Sequence, residues 1–411
     1  MFAKALFDIL KKSSKTVKEI NVSMKHDRRG YAALYNFSYM SIGAFVPLVG
    51  QYLSSEGFSG TQVGTVTATG TAVAIFASAF WGKRYSRSDR KDLVLMGLCL
   101  MASLMCFVFM NMEEYIFVIA AFGAMYFFQA PVMSLTDAFT VERASVFGSL
   151  RAWGAVGFAL GIFLAGVFSD VLDIKVIFPF YILSFTAAAV TVWRIGVKTE
   201  EKERGNVKGD SVKREGGYTS LLKNRRLCQL ILCAFFMGGT NVANNTYFSF
   251  LYIEGGGTVA GVGAVMLLMV GSEVPFMAWC ERLSRKFTGE KTIMAAMIIS
   301  AVRFLVMGLG LPWWMLAAIS FSQGAVNGII LIEFVRYAAK LAPKGKESLA
   351  ISAYYIIGSN LSTIVCQLCG GRLLDLGGAA AVYLFFGFFN MAGVCLYWKF
   401  RLYKSIDETG G

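Results

Sequence analysis

The chain has 411 residues, 56% of them hydrophobic and 16% charged, with a mean hydropathy of +0.57. Soluble domains run at roughly 45–50% apolar and about 25% charged, so this composition excludes a soluble protein of this size. The net charge of +13 does not mark a nucleic-acid binder, because the lysines and arginines sit in short clusters between apolar stretches.

The first residues, FAKALFDILKKS, are amphipathic and lead into further lysines without a long apolar core. They read as a cytoplasmic arm over 1–29 that lies on the membrane surface, and not as a cleavable signal. A membrane-crossing helix needs roughly 20 mainly apolar residues. Stretches of that kind fall at 31–53, 62–82, 93–111, 115–138, 148–169 and 175–196. A polar, charged segment over 197–226 follows, with the composition of a solvated linker. Six more stretches lie at 227–253, 258–280, 292–310, 313–340, 347–374 and 379–401, ahead of a short tail over 403–411.

Orientation follows from the basic residues. Lys83, Arg84, Arg87, Arg90 and Lys91 follow the second stretch, Arg282, Arg285, Lys286 and Lys291 the eighth, and Lys340, Lys344 and Lys346 the tenth. The alternate connections carry Glu56, Glu113, Glu114, Asp173 and Glu254, with only Lys175 and Arg372 breaking the pattern. The cytoplasmic side is the basic side, so both termini are expected there. The expected fold is an all-α membrane protein of twelve transmembrane helices in two pseudo-symmetric six-helix bundles, 30–196 and 227–402. A weak internal repeat, WGKRYSR at 81–87 against CERLSRK at 280–286, agrees with two related halves.

The eight cysteines are scattered, mostly in apolar runs, and read as buried thiols with no metal-binding spacing. Glycines 148, 154, 157, 161 and 166 of the fifth stretch lie in an apolar helix and lack the lysine of a phosphate loop. Close helix packing accounts for them, and ATP-driven transport has no support. No nucleophile–base set at membrane depth suggests an enzyme, and no cofactor is expected.

A charge near the bilayer centre costs at least about 2.5–3.5 kcal/mol on insertion scales and is usually paired and functional. Glu273 lies midway along the eighth stretch and Arg303 near the middle of the ninth. They read either as a proton-accepting carboxylate held by a cation or as a static ion pair. Asp137 and Arg151 sit near helix ends, where hydropathy alone makes them ordinary loop charges. Helix seven reads GGTNVANNTYFSF; its Asn241, Asn244, Asn245, Thr246 and Tyr247 suit either a hydrophilic path or interhelical hydrogen bonds. Glu333, close to Arg336, reads as a plain ion pair or as a third place for a proton.

YMSIGAFVPLVGQYL in helix one, FGSLRAWGAVGFALG from Phe147, GSEVPFM from Gly271, SAVRFL from Ser300 and RYAAKLAP from Arg336 together resemble the major facilitator superfamily. The similarity is to its oligosaccharide:proton symporter branch, which holds lactose-permease-like and phenylpropionate-permease-like proteins. The signature after helix two departs from the superfamily pattern: Gly82, Arg87, Arg90 and Lys91 fit it, but Ser86 and Asp89 stand where an aspartate and a glycine are usual.

The resemblance implies that Asp137 and Arg151 bind substrate hydroxyls, a role suited to a carboxylate acceptor and a guanidinium fork. Phe158 stands where an aromatic stacks on a sugar ring, and Asn245 matches a family asparagine. The family's helix-ten histidine and glutamate are replaced by Gln323 and Val326, and its helix-seven and helix-eleven charges by Thr240 and Ser359. His26, the single histidine, lies in the arm, so a proton must ride on a carboxylate: Glu273 first, then Asp137, then Glu333.

The expected protein is therefore a proton-coupled symporter of a small polar solute in a bacterial inner membrane, acting as a monomer with protons, solute and lipid as its partners. Asp137, Arg151, Phe158, Asn241, Asn245 and Gln323 would bind solute; Glu273, Arg303 and Glu333 would couple protons. A carboxylate transporter, a drug or metabolite exporter, and a solute sensor on a transporter scaffold are the alternatives.

Overall fold

Membrane hydropathy predicts helices alone, since lipid offers backbone groups no partner. The computed structural model describes residues 28–141, 147–200, 224–286, 288–343 and 346–404, so the expected arm, most of the linker and most of the tail lie outside the described residues. Within those residues the regular structure is helical.

The helices are α1 (Arg28–Ser55), α2 (Gly60–Ser86), α3 (Lys91–Phe109), α4 (Tyr115–Val141), α5 (Phe147–Val171), α6 (Ile177–Glu200), α7 (Arg225–Glu254), α8 (Val259–Lys286), α9 (Gly289–Met307), α10 (Trp313–Leu341) and α11 (Leu349–Lys399). Nine among the described residues are long and apolar enough to cross a membrane; α8 and α9 are not among them. The apolar part of α8 is the shorter segment Val259–Glu273. In α9, Glu290, Lys291 and Arg303 fall within 19 residues and lower its hydropathy.

Breaks in the helices have local causes. Pro47 supplies no N–H, and α1 is interrupted by a turn there. Glycines interrupt α11: Gly377 and Gly378 leave helical geometry, with Gly378 at φ 68°. Ala350 and Tyr354 before this point share one buried cluster with Tyr397 and Leu402 beyond it. The run therefore doubles back at the glycines into two arms, 349–376 and 379–399. A π-helical turn, Tyr354–Leu361, widens the first arm.

α1 to α6 pack on one another, as do α7 to α11. Phe45 of α1 meets Phe109, Phe122, Phe178 and Tyr181 at the centre of the first set. Small residues let backbones touch, as expected where lipid provides no hydrophobic drive between helices. A Cβ on Gly157 or Gly161 of α5 would lie 2.1 Å from Asn36 O or 2.2 Å from Met40 O of α1. Gly154, Gly157, Gly161 and Gly166 thus serve close packing.

The two sets meet along α2 with α11, α5 with α8, and α1 with α7. Contacts between them gather at the end that carries Glu56, Asp170, Glu254 and Asp375. There Gly60 and Gly64 of α2 press on Gly371 and Gln367 of α11, and Gly166 of α5 presses on Val259 of α8. Gln367 bridges the sets further in, accepting from Thr67 of α2 at 3.0 Å and donating to Thr246 of α7 at 3.0 Å.

Candidate functional site

The polar residues inside the helices form three groups. The first lies in the α1–α6 set. Asp137 comes two turns after Pro131 on α4, and the glycine contacts between α5 and α1 bring Arg151 and Tyr39 alongside it. Tyr35, fully buried on α1, donates from its hydroxyl to Asp137 Oδ1 at 2.7 Å. Arg151 Nη2 lies 3.7 Å from Asp137 Oδ2. The arginine side chain is 53% exposed and the aspartate 24%, so this pair is held by protein on one side and open on the other. Tyr39 packs on Gly154, within reach of Arg151. A fork of donors beside a carboxylate and two phenols is suited to a polyhydroxylated solute. Phe158 is half-buried, and its backbone carbonyl lies against Gly43.

The second group joins α8 and α10. These helices approach closely at Gly324, where a Cβ would lie 2.7 Å from the Glu273 nitrogen. Glu273 Oε1 accepts from Asn327 Nδ2 at 2.8 Å, and Asn327 Oδ1 accepts from Gln323 Nε2 at 3.3 Å. Gln323 is 3% exposed and its Oε1 has no partner. The row leaves the carboxylate with neutral amide neighbours.

The third group joins α7, α9 and the second arm of α11. Arg303, 4% exposed, donates from Nη2 to Asn241 Oδ1 at 3.3 Å, while its Nε has no partner. Asn244, one turn further on, accepts from Tyr383 at 2.7 Å. Thr240 donates to Asn390 Oδ1 at 3.0 Å, and Asn390 donates to Ser300 at 2.9 Å. Most of the helix-seven amides therefore form interhelical bonds, and Asn245 is half-buried on the same helix.

This arrangement corrects one expectation. Glu273 is not held by Arg303: each binds a different amide, Asn327 and Asn241, on a different helix pair. Glu333 lies further along α10, buried, with Arg336 Nη1 at 3.1 Å from its Oε1. It faces Gly289 at the start of α9 and is not joined to the Glu273 row. Tyr35, Tyr39 and Asn327 were absent from the sequence candidates. The polar run YNFSYMS, residues 35–41 inside the first apolar stretch, was the available signal for the tyrosines. Among the described residues, no group of three His, Cys, Asp or Glu residues is placed to hold a metal.

Long apolar helices with polar groups gathered in their interior make a polytopic membrane protein with the build of a solute transporter. The MFS_1 like family model matches residues 29–385, and the chain belongs to that family. It is similar to the maltose permease of Geobacillus stearothermophilus, 28% identical over 89% of this chain and 92% of that one. The sucrose permease of Escherichia coli is 22% identical over 93% and 95%. The probable 3-phenylpropionic acid transporter of Escherichia coli (strain K12) is 23% identical over 79% and 85%. Among solved structures, the nucleoside transporter NupG superposes with a TM-score of 0.76 at 14% identity, covering 92% of this chain and 99% of that one. The chain is a multi-pass membrane transporter of small molecules and not an enzyme.

Proposed function

We propose that this transporter carries an oligosaccharide or related hydroxylated solute together with a proton, by alternating access. The observation that carries the reading is the Tyr35–Asp137–Arg151 group, with a half-exposed guanidinium beside a carboxylate that a buried phenol already holds. A solute's hydroxyls can bridge the half-exposed Arg151 fork and the Asp137 carboxylate, with Phe158 offering a ring face. Similarity to two sugar permeases supports the solute class. Glu273 carries the proton, because among the membrane-embedded carboxylates of the candidate set it alone has an amide and no cation as its hydrogen-bond partner. Asn241, Asn245 and Gln323 complete the solute path, and Arg303 acts on the path through Asn241 and not through Glu273.

In this reading the two arms of α11 count as separate crossings, and α8 and α9 also cross, giving twelve. Residues 30–196 and 227–402 are the two halves, and both termini are cytoplasmic in a bacterial inner membrane. The end bearing Glu56, Asp170, Glu254 and Asp375 is then the outer end. The halves rock about a midplane site, as transporters built from repeats do.

A second reading is supported by Arg303, a buried cation whose Nε is unpartnered: a carboxylate solute would neutralise it. Counterflow in proteoliposomes with a panel of disaccharides, nucleosides and aromatic acids separates the two. Disaccharide exchange lost in Arg151→Ala supports the first reading. Exchange of aromatic acids alone, lost in Arg303→Gln and retained in Arg151→Ala, overturns it.

A further inference from the structure

Two aspartates outside the groups above reach across the boundary between the helix sets. Asp375, at the end of the first arm of α11, accepts from the Gly60 N–H at 2.5 Å, the Thr61 N–H at 2.8 Å and the Thr61 hydroxyl at 2.5 Å. These donors form the N-terminus of α2. Asp170, near the end of α5, accepts from the Val259 and Ala260 N–H groups at 3.1 and 2.9 Å, at the N-terminus of α8. In each case a carboxylate of one set sits on the positive end of a long helix of the other, meeting N–H groups that no intrahelical carbonyl can satisfy.

The two contacts are repeats of one device. α2 and α8 are the second helices of their sets, and α5 and the first arm of α11 are the fifth. The turns entering α2 and α8 also match: each has a glycine at φ +88°, Gly57 and Gly256, followed by a hydroxyl residue, Ser59 or Thr258, which accepts from the first turn. Glycines at both crossings bring the backbones close enough for a short aspartate to reach.

We propose that Asp170 and Asp375 are paired latches that hold the outer gate shut. Each bond is end-on to its helix, so tilting one half by a few ångströms breaks both caps together and returns the N–H groups to water. Backbone N–H groups are donors in both latches, with the Thr61 hydroxyl added at Asp375, and the two copies stand on the two flanks of the gate. The proposal uses the assignment of this end as outer but needs neither the solute class nor the proton step. Its test measures separation of the halves without either.

Hydrogen–deuterium exchange on the full chain in lipid nanodiscs reads the segments 57–66 and 256–265, which contain the two capped helix starts. In Asp375→Asn or Asp170→Asn, the lost charge–dipole attraction should speed exchange roughly twofold to thirtyfold. Under the latch, either variant speeds both segments, because the gate opens as a unit. Asp173→Asn is the control on the same face, since that aspartate caps only its own turn, at Lys175. Thr61→Val, which keeps the carboxylate and removes one donor, should shift both segments in the same direction by less, and decides the matter if an aspartate variant does not fold. Faster exchange confined to the helix whose own cap was removed, or no change in either segment, overturns the proposal.

Discussion

Arg151 and Glu273 carry charge inside an apolar chain, and their neighbours determine what each can do. The Arg151 guanidinium lies half-exposed beside the Asp137 carboxylate, where a solute hydroxyl can meet both. Bonds from a charged donor are worth about 1.5–3 kcal/mol, so Arg151→Ala should weaken solute binding roughly tenfold to hundredfold. Arg151→Lys should recover little, because an ammonium lacks the fork. Equilibrium binding or counterflow in the two variants measures both. Tyr35→Phe leaves Asp137 without its phenol donor and should raise the half-saturating solute concentration several-fold, at about 1 kcal/mol for one hydrogen bond. Hydropathy alone singled out Glu273 and Arg303, since charges stand out in an apolar run. It missed Tyr35 and Asn327, because a tyrosine or asparagine in such a run looks the same whether it faces a path, a neighbour or the lipid boundary. It also joined Glu273 to Arg303 because they were the charges at hand, whereas each has its own amide partner across a different helix pair.

At the scale of elements, each expected stretch falls on an observed helix; some are shorter than it, and others, such as 93–111 on α3 and 292–310 on α9, overrun its end. The second stretch, 62–82, is the apolar part of Gly60–Ser86, which runs on through Lys83 and Arg84. Hydropathy marks what lipid covers, while the helix continues as long as its own hydrogen bonds do. The interruption at Pro47 and the π-helical turn in α11 were not legible, because each depends on how a tolerated break is satisfied by neighbouring helices. Gly154, Gly157, Gly161 and Gly166 were legible as packing residues, though not their partners, α1 for the first three and α8 for Gly166. Gly161→Leu would drive a side chain into the Met40 carbonyl. Overpacking of this kind typically costs about 1–3 kcal/mol, and a thermal melt of the purified protein should fall by several degrees. A melt that matches the parent protein would mean that α1 and α5 can separate freely.

For the whole molecule, the equal division of apolar stretches around one charged linker is the ground for expecting two halves; among the described residues, α2 meets α11 and α5 meets α8 as extensively as neighbours within either set meet. The contacts between the sets were hidden. Asp170 and Asp375 lie between apolar stretches, and nothing in the sequence sets them against α2 and α8, where the fold places them. Gln367, which joins Thr67 to Thr246, likewise gives no sign in sequence of reaching two helices from different sets. If these sets separate during transport, joining them should stop it. With the eight native cysteines replaced, Thr67→Cys with Gln367→Cys should lose solute flux on oxidation and regain it on reduction.

In the proposed function, solute binding at the Asp137–Arg151 group is coupled to a proton on Glu273. Proton movement in proteoliposomes, measured on adding a disaccharide to one side, tests it most directly. Under that coupling, the outside turns alkaline with the parent protein and not with Glu273→Gln, although that variant still exchanges solute in counterflow. Solute exchange by the parent protein with no proton signal, or a proton signal that survives Glu273→Gln, would contradict it.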